Sequence, residues 1–185
     1  ATCALNKVNL SSFYATPQSA ISVRNMINPG QIMRAAQDPL PEDLPLPAGP
    51  VRFVSVGRMS QEKAQDRIIA AIAALRAQGH DVELVLVGDG PLRDTLSAAA
   101  RSHGVSDRVI FTGHRPNPFA IMARCDCFVL SSDYEGQPMV LLEALTLGLP
   151  IVATDIAGTR SILDQTPYPL VDPSADGVAE GMHAF

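Results

Sequence analysis

From residue 51 onward, short runs of Val, Ile and Leu alternate with stretches of helical spacing. Such alternation is the pattern of βα units, which wind into a parallel sheet with helices on both faces. The runs place strands at 51–57, 81–88, 108–112, 126–131, 149–154 and, briefly, 168–171. After Ala64, residues Ile68, Ile72 and Leu75 recur at helical spacing, and Gly79 offers a left-handed terminus. Pro91 suits the first turn of the next helix, expected to run to Gly104. The expected fold class is α/β, a Rossmann-like three-layer α/β/α parallel sheet.

The first fifty residues differ in kind. Pro39, Pro41, Pro45, Pro47 and Pro50 exclude a helix or a central strand, so this stretch reads as a linker. Upstream, residues 20–24 read as one more strand, followed by a turn at Asn28-Pro29-Gly30. The expected division is 1–50, a remnant of a preceding domain with its linker, and 51–185, one domain truncated in its last helix. Neither an initiator Met nor a leader precedes Ala1, and Phe185 falls within a helical pattern, so both ends look cut.

Bulk properties remove several classes of function. A chain of 185 residues, 46% of them hydrophobic, builds one ordinary core. Its net charge of -5 disfavours nucleic acid or an anionic membrane as the main partner, so any phosphate site is local. The apolar runs at 84–87 and 139–142 are far shorter than the roughly 18 to 20 residues of a transmembrane helix. Three cysteines, two of them Cys125 and Cys127, suit neither a disulfide framework nor a four-ligand zinc site. The expected setting is cytoplasmic.

In parallel α/β sheets ligands sit beyond the carboxyl ends of the strands. Two of these loops carry chemistry. In the stretch from Ser131 to Leu145, Glu135 and Glu143 are separated by seven residues, one in the loop and one in the helix that follows. Pro138 suits the first helical turn and makes Gln137 the expected N-cap. The amides of Met139 and Val140 are then free to receive an anion at the positive end of the helix dipole. Apolar Leu141, Leu142, Ala144 and Leu145 surround Glu143, and an acid so embedded calls for a polar partner or a ligand. In the other loop, Arg58 and Lys63 flank the exit from the first strand, placed to clamp a diphosphate; the competing reading is simple solvation.

Together these stretches resemble the retaining GT-B glycosyltransferases of family 4, the group 1 glycosyltransferases. The resemblance rests on VSVGRMSQEKAQDRII, ELVLVGDGPLRDTL, VIFTGHRPN and the segment CDCFVLSSDYEGQPMVLLEALTLGLPIVATDIAGTRSIL, and it is to their C-terminal, donor-binding domain. It implies that Arg58 and Lys63 hold the donor diphosphate, Glu135 meets the transferred sugar and Glu143 binds the ribose. Arg58, Lys63 and Glu135 are the implied catalytic set. Gly57, His114, Arg115, Gly136, Gln137, Met139, Val140 and Glu143 make up the implied donor-binding set, with His114 and Arg115 against the base. No metal or cofactor is implied, and the partners are a nucleotide sugar and an acceptor held by the missing domain. Through that domain the enzyme could also sit against a membrane. The fragment alone is expected to bind donor and to transfer little.

Two positions depart from the commonest family pattern: Pro138 stands where many members have Gly, and Ala64 replaces a frequent Gly. The first removes a backbone donor from the anion site. The second limits how closely the backbone approaches a phosphate. The alternatives are a GT-B epimerase or phosphorylase-like enzyme and a non-catalytic nucleotide-sugar-binding module. A dinucleotide oxidoreductase lacks support, because no strand is followed by Gly-x-Gly-x-x-Gly.

Overall fold

The computed structural model describes residues 26–44, 46 and 48–185. The strand expected at 20–24 lies outside them. Six strands form one sheet: β1 (Val51–Val56), β2 (Val82–Val87), β3 (Val109–Gly113), β4 (Cys127–Leu130), β5 (Ile151–Thr154) and β6 (Leu170–Val171). Their order is β3-β2-β1-β4-β5-β6 and every ladder between them is parallel. The helices are α1 (Pro29–Ala35), α2 (Gln65–Ala77), α3 (Arg93–Ser102), α4 (Phe119–Met122), α5 (Met139–Thr146), α6 (Ala157–Leu163) and α7 (Ala175–His183).

Successive residues of a strand point to opposite faces, and the core divides accordingly. Phe53, Leu84, Leu86, Cys127, Val129 and Val152 meet Ile68, Ile69, Ile72 and Leu75 of α2, Leu96 of α3, and Val178 and Met182 of α7. Val54, Val85, Val87, Phe128, Leu130, Ile151 and Ala153 meet Ile121 and Met122 of α4, Leu141 and Ala144 of α5, and Leu163 of α6. Both faces are covered, which explains why the strands read as continuous apolar runs. Both thiols at 125 and 127 are free and buried, and burial pushes each up to about 12.

Three local expectations need correction. Asn28-Pro29-Gly30 starts a helix instead of a turn: Asn28 caps α1, its side chain accepting from the Gln31 amide at 3.1 Å. Pro91 lies in a turn before α3, which begins at Arg93 with Leu92 as its N-cap. Pro138 is itself the N-cap of α5 in place of Gln137, because its ψ of 103° keeps it extended. Gly79 does end α2 left-handed, at φ 91°. There the Gly79 amide donates to Arg76 and the His80 amide to Leu75, closing the last carbonyls of the helix.

The segment after α1 has neither helix nor strand through Pro50 among its described residues, yet it is anchored. Asn117 donates to the Ala35 carbonyl at 2.8 Å, Arg124 donates to that of Ala36 at 3.0 Å, and Leu44 is buried against the sheet. The arrangement that matters most for a ligand is at the centre of the sheet. The chain leaves β1 toward the face carrying α2 and leaves the neighbouring β4 toward the face carrying α5, so a crevice opens between their carboxyl ends.

Candidate functional site

The loop after β1 is shaped by its backbone. Gly57 still donates to Val87 at 2.9 Å, a 3-10 turn follows at Gln61–Lys63, and Ala64 turns left-handed at φ 46° to launch α2. Gln65, buried at the start of that helix, donates through Nε2 to the Arg58 carbonyl at 2.9 Å and holds the loop down. The Lys63 stem lies along Gly57: a Cβ there would stand 3.7 Å from Cε of Lys63.

The loop after β4 is stitched to the first one. The Ser131 hydroxyl lies 2.9 Å from both the Lys63 and the Ala64 carbonyls, and the Asp133 amide donates to Glu62 at 2.9 Å. Thr154 of β5 donates to the Ser132 carbonyl at 2.6 Å. Glu135 then accepts from Ser132 at 2.8 Å and from Lys63 Nζ at 2.5 Å. Residues 72 positions apart in sequence thus meet across the crevice, and both are largely buried, their side chains 20% and 13% exposed.

Beyond Glu135 the chain enters α5. Its first backbone bond is from Leu141 to Pro138 at 3.1 Å, so the amides of Met139 and Val140 precede it at the helix start without a backbone acceptor among the described residues. Glu143 is half-buried on this helix, and desolvation holds its carboxyl above the ordinary range. No hydrogen bond or ion pair engages that carboxylate among the described residues.

A cleft of about 340 Å³ opens beside the β1 loop, lined by Val56, Gly57, Arg58, Val87, Gly88, Asp89, His114, Arg115 and Pro118. It unites four of the residues singled out in the sequence, Gly57, Arg58, His114 and Arg115. Lys63 and Glu135 stand at the neighbouring crevice, while Gly136, Gln137, Met139, Val140 and Glu143 follow on the α5 side and do not line the cleft. Arg58 is exposed and without an ion-pair partner among the described residues. Arg115 is committed: Nε donates to the Thr112 carbonyl at 3.0 Å, and its two terminal nitrogens fork onto Asp43 at 2.9 and 2.7 Å. His80 and His183 face each other at 5.0 Å beside the strand starts at Val51 and Val82, away from the cleft. No group of three or more His, Cys, Asp or Glu that could hold a metal occurs among the described residues.

Several contributors carry no local signal. Gly158 lies under the Glu135 loop, Asp43 occupies the Arg115 fork, and Arg67 reaches from α2 to Asp133 at 2.7 Å. Only a feel for which strand ends are neighbours would have found them.

A six-stranded parallel sheet with this order, helices on both faces, is the α/β fold of GT-B glycosyltransferase structures. The family model described as Glycosyl transferases group 1 matches residues 36–184, and the chain belongs to that family. Similar relatives include 2-deoxystreptamine glucosyltransferase of Streptomyces kanamyceticus, 36% identical over 133 residues, 70% of this chain and 34% of that one. Alpha-D-kanosaminyltransferase of the same organism is 34% identical over 120 residues, 64% of this chain and 31% of that one. The chain therefore spans about a third of the length of these curated relatives. Among solved structures, Anabaena HepE in complex with UDP and glucose superposes with a TM-score of 0.68 at 26% identity, over 74% of this chain and 39% of that one. TarM of S. aureus shares the fold at a TM-score of 0.76 and 16% identity, over 98% of this chain and 35% of that one.

Proposed function

We propose that this chain is the donor-binding part of a retaining, metal-independent glycosyltransferase, the C-terminal half of a GT-B enzyme that moves a sugar from a nucleoside-diphosphate sugar to an acceptor hydroxyl. The observation that carries the reading is the meeting of Lys63 and Glu135 at the crevice between β1 and β4, beside a cleft walled by Gly57, Arg58, His114 and Arg115. A diphosphate laid across this edge meets the cations of Arg58 and Lys63 and the open amides of Met139 and Val140. The sugar falls to Glu135, and the ribose hydroxyls to Glu143, which is half-buried and has no partner among the described residues. The nucleobase lies toward His114 and Arg115, and Gly136 and Gln137 complete the donor loop.

The difficulty in glycosyl transfer is departure of the nucleoside diphosphate while positive charge builds on the sugar ring. Preorganised donors aimed at developing charge are each worth about a hundredfold to a thousandfold in rate. Arg58 and Lys63 carry that role here without a metal or cofactor. Glu135 and Glu143 position the donor. The acceptor belongs to a companion domain, so the 185-residue chain binds donor but transfers little.

Titration calorimetry with UDP, GDP and ADP tests the reading, UDP first because HepE was solved with it. Heat from at least one nucleotide is expected, together with a rise in melting temperature on binding that Arg58→Ala and Glu143→Ala abolish. A folded sample that binds none of the three removes the donor-site reading.

A further inference from the structure

We infer that Arg67, which lies outside both the cleft and the lysine–glutamate pair, is a positioning residue that sets the geometry of Lys63 and Glu135; the inference rests on the donor-site reading above. Arg67 stands on the first turn of α2, four residues after Lys63. One terminal nitrogen meets the Asp133 carboxylate at 2.7 Å, and the other donates to the Ser131 carbonyl at 3.1 Å. Its planar fork thus grips the β4 loop at two points, four and two residues ahead of Glu135.

The remaining stitches lie close by. Asp133 is bound a second time through its amide to Glu62, and the Ser131 hydroxyl returns to the Lys63 and Ala64 carbonyls. The two loops are therefore fastened to each other by several bonds, with Arg67 supplying the side-chain charge. The side chain of Asp133 is 51% exposed, so the ion pair itself adds little to stability. Its consequence is geometric. Without it, Asp133 keeps only its amide bond to Glu62, and the loop that presents Glu135 can shift against Lys63. A lysine does not replace the fork, since its compact ammonium on a flexible stem lacks the fixed planar spacing of the two guanidinium nitrogens.

Calorimetry with UDP, GDP and ADP on the 185-residue chain tests this, with Arg67→Met, Arg67→Lys and Asp133→Asn compared against Lys63→Met. Asp133→Asn alters an exposed carboxylate and leaves the core untouched. The expected result is a fall in nucleotide affinity of roughly five- to tenfold for Arg67→Met, a smaller fall for Arg67→Lys and for Asp133→Asn, and melting temperatures within a few degrees of the parent. In the Lys63→Met background, Arg67→Met should add nothing, because it acts through the residue already removed. Unchanged affinity in Arg67→Met and Asp133→Asn, or a full additional loss on top of Lys63→Met, overturns the positioning role while leaving the donor reading intact. A parent chain that binds none of the nucleotides instead sinks the donor reading, and this inference with it.

Discussion

A Cβ on Gly158 would stand 2.4 Å from the carbonyl oxygen of Glu135. The first turn of α6 thus carries the Glu135 loop directly on its backbone, and only a glycine leaves room. The Thr159 hydroxyl, bonded to the Thr154 carbonyl at 2.6 Å, fixes that turn to the end of β5.

Gly158→Ala is therefore expected to force the Glu135 loop outward. Overpacking of this kind costs about 1–3 kcal/mol, and the displaced carboxylate should also weaken binding of a nucleotide sugar. Scanning calorimetry together with titration of the parent and variant checks both; a variant with the parent's melting temperature and affinity contradicts the contact.

Glu143 is half-buried with no hydrogen bond or ion pair among the described residues. Burial raises its carboxyl above the ordinary 4.5, so the folded chain holds this proton more tightly than the unfolded chain. The stability this contributes is complete below the unfolded value and is lost as pH rises through the folded one. Glu143→Gln should consequently melt higher than the parent at pH 8 and differ less at pH 4. Nucleotide affinity should fall by about tenfold or more, the worth of a charged hydrogen bond. Melting curves at the two pH values read the first effect and calorimetry the second.

Ala64 is the one non-glycine residue with positive φ among those described, at 46°. The left-handed region costs an ordinary residue roughly 1–2 kcal/mol, partly offset by the greater unfolded freedom of glycine. Ala64→Gly is expected to raise stability by up to about 1 kcal/mol, with the Ser131 bond to its carbonyl retained. Urea denaturation distinguishes this from a loss, which would show the alanine to be unstrained.

The Arg115 fork holds the Asp43 carboxyl below its ordinary 3.8, chiefly through the side-chain hydrogen bond. The pair is intact above that value and is released only as pH falls through the lowered one. A carbon-detected NMR titration should place Asp43 below 3.8 in the parent and return it to that value in Arg115→Gln.

Much of the frame was legible before the fold. Strands buried on both faces declare themselves as apolar runs, which is why all six are found within two residues of their expected ends. The largest slips, of two residues, are at the starts of β5 and β6; at β5 Pro150 offers a carbonyl to Phe128 but has no amide to give. The helix start expected at Pro138 shifts by one residue for a related reason, its ψ of 103°. Proline sets φ but leaves ψ open, and ψ decides whether a residue is inside the helix or caps it. Residue types with evident chemistry, Lys63, Glu135 and Arg58, could be picked out from their loops. Their supports could not. Gly158, Arg67 and Asp43 act across 23, 66 and 72 positions, and such distances close only once the strand order is known.

The doubly held Arg115 gives the molecule a mechanical property as well as a chemical one. One guanidinium forms part of the cleft wall and also grips residue 43, while Asn117 and Arg124 pin the backbone at residues 35 and 36. Slack is missing from this stretch of chain. A pull applied upstream of Leu44 is delivered to the wall of the cleft, as a rein delivers it to the bit.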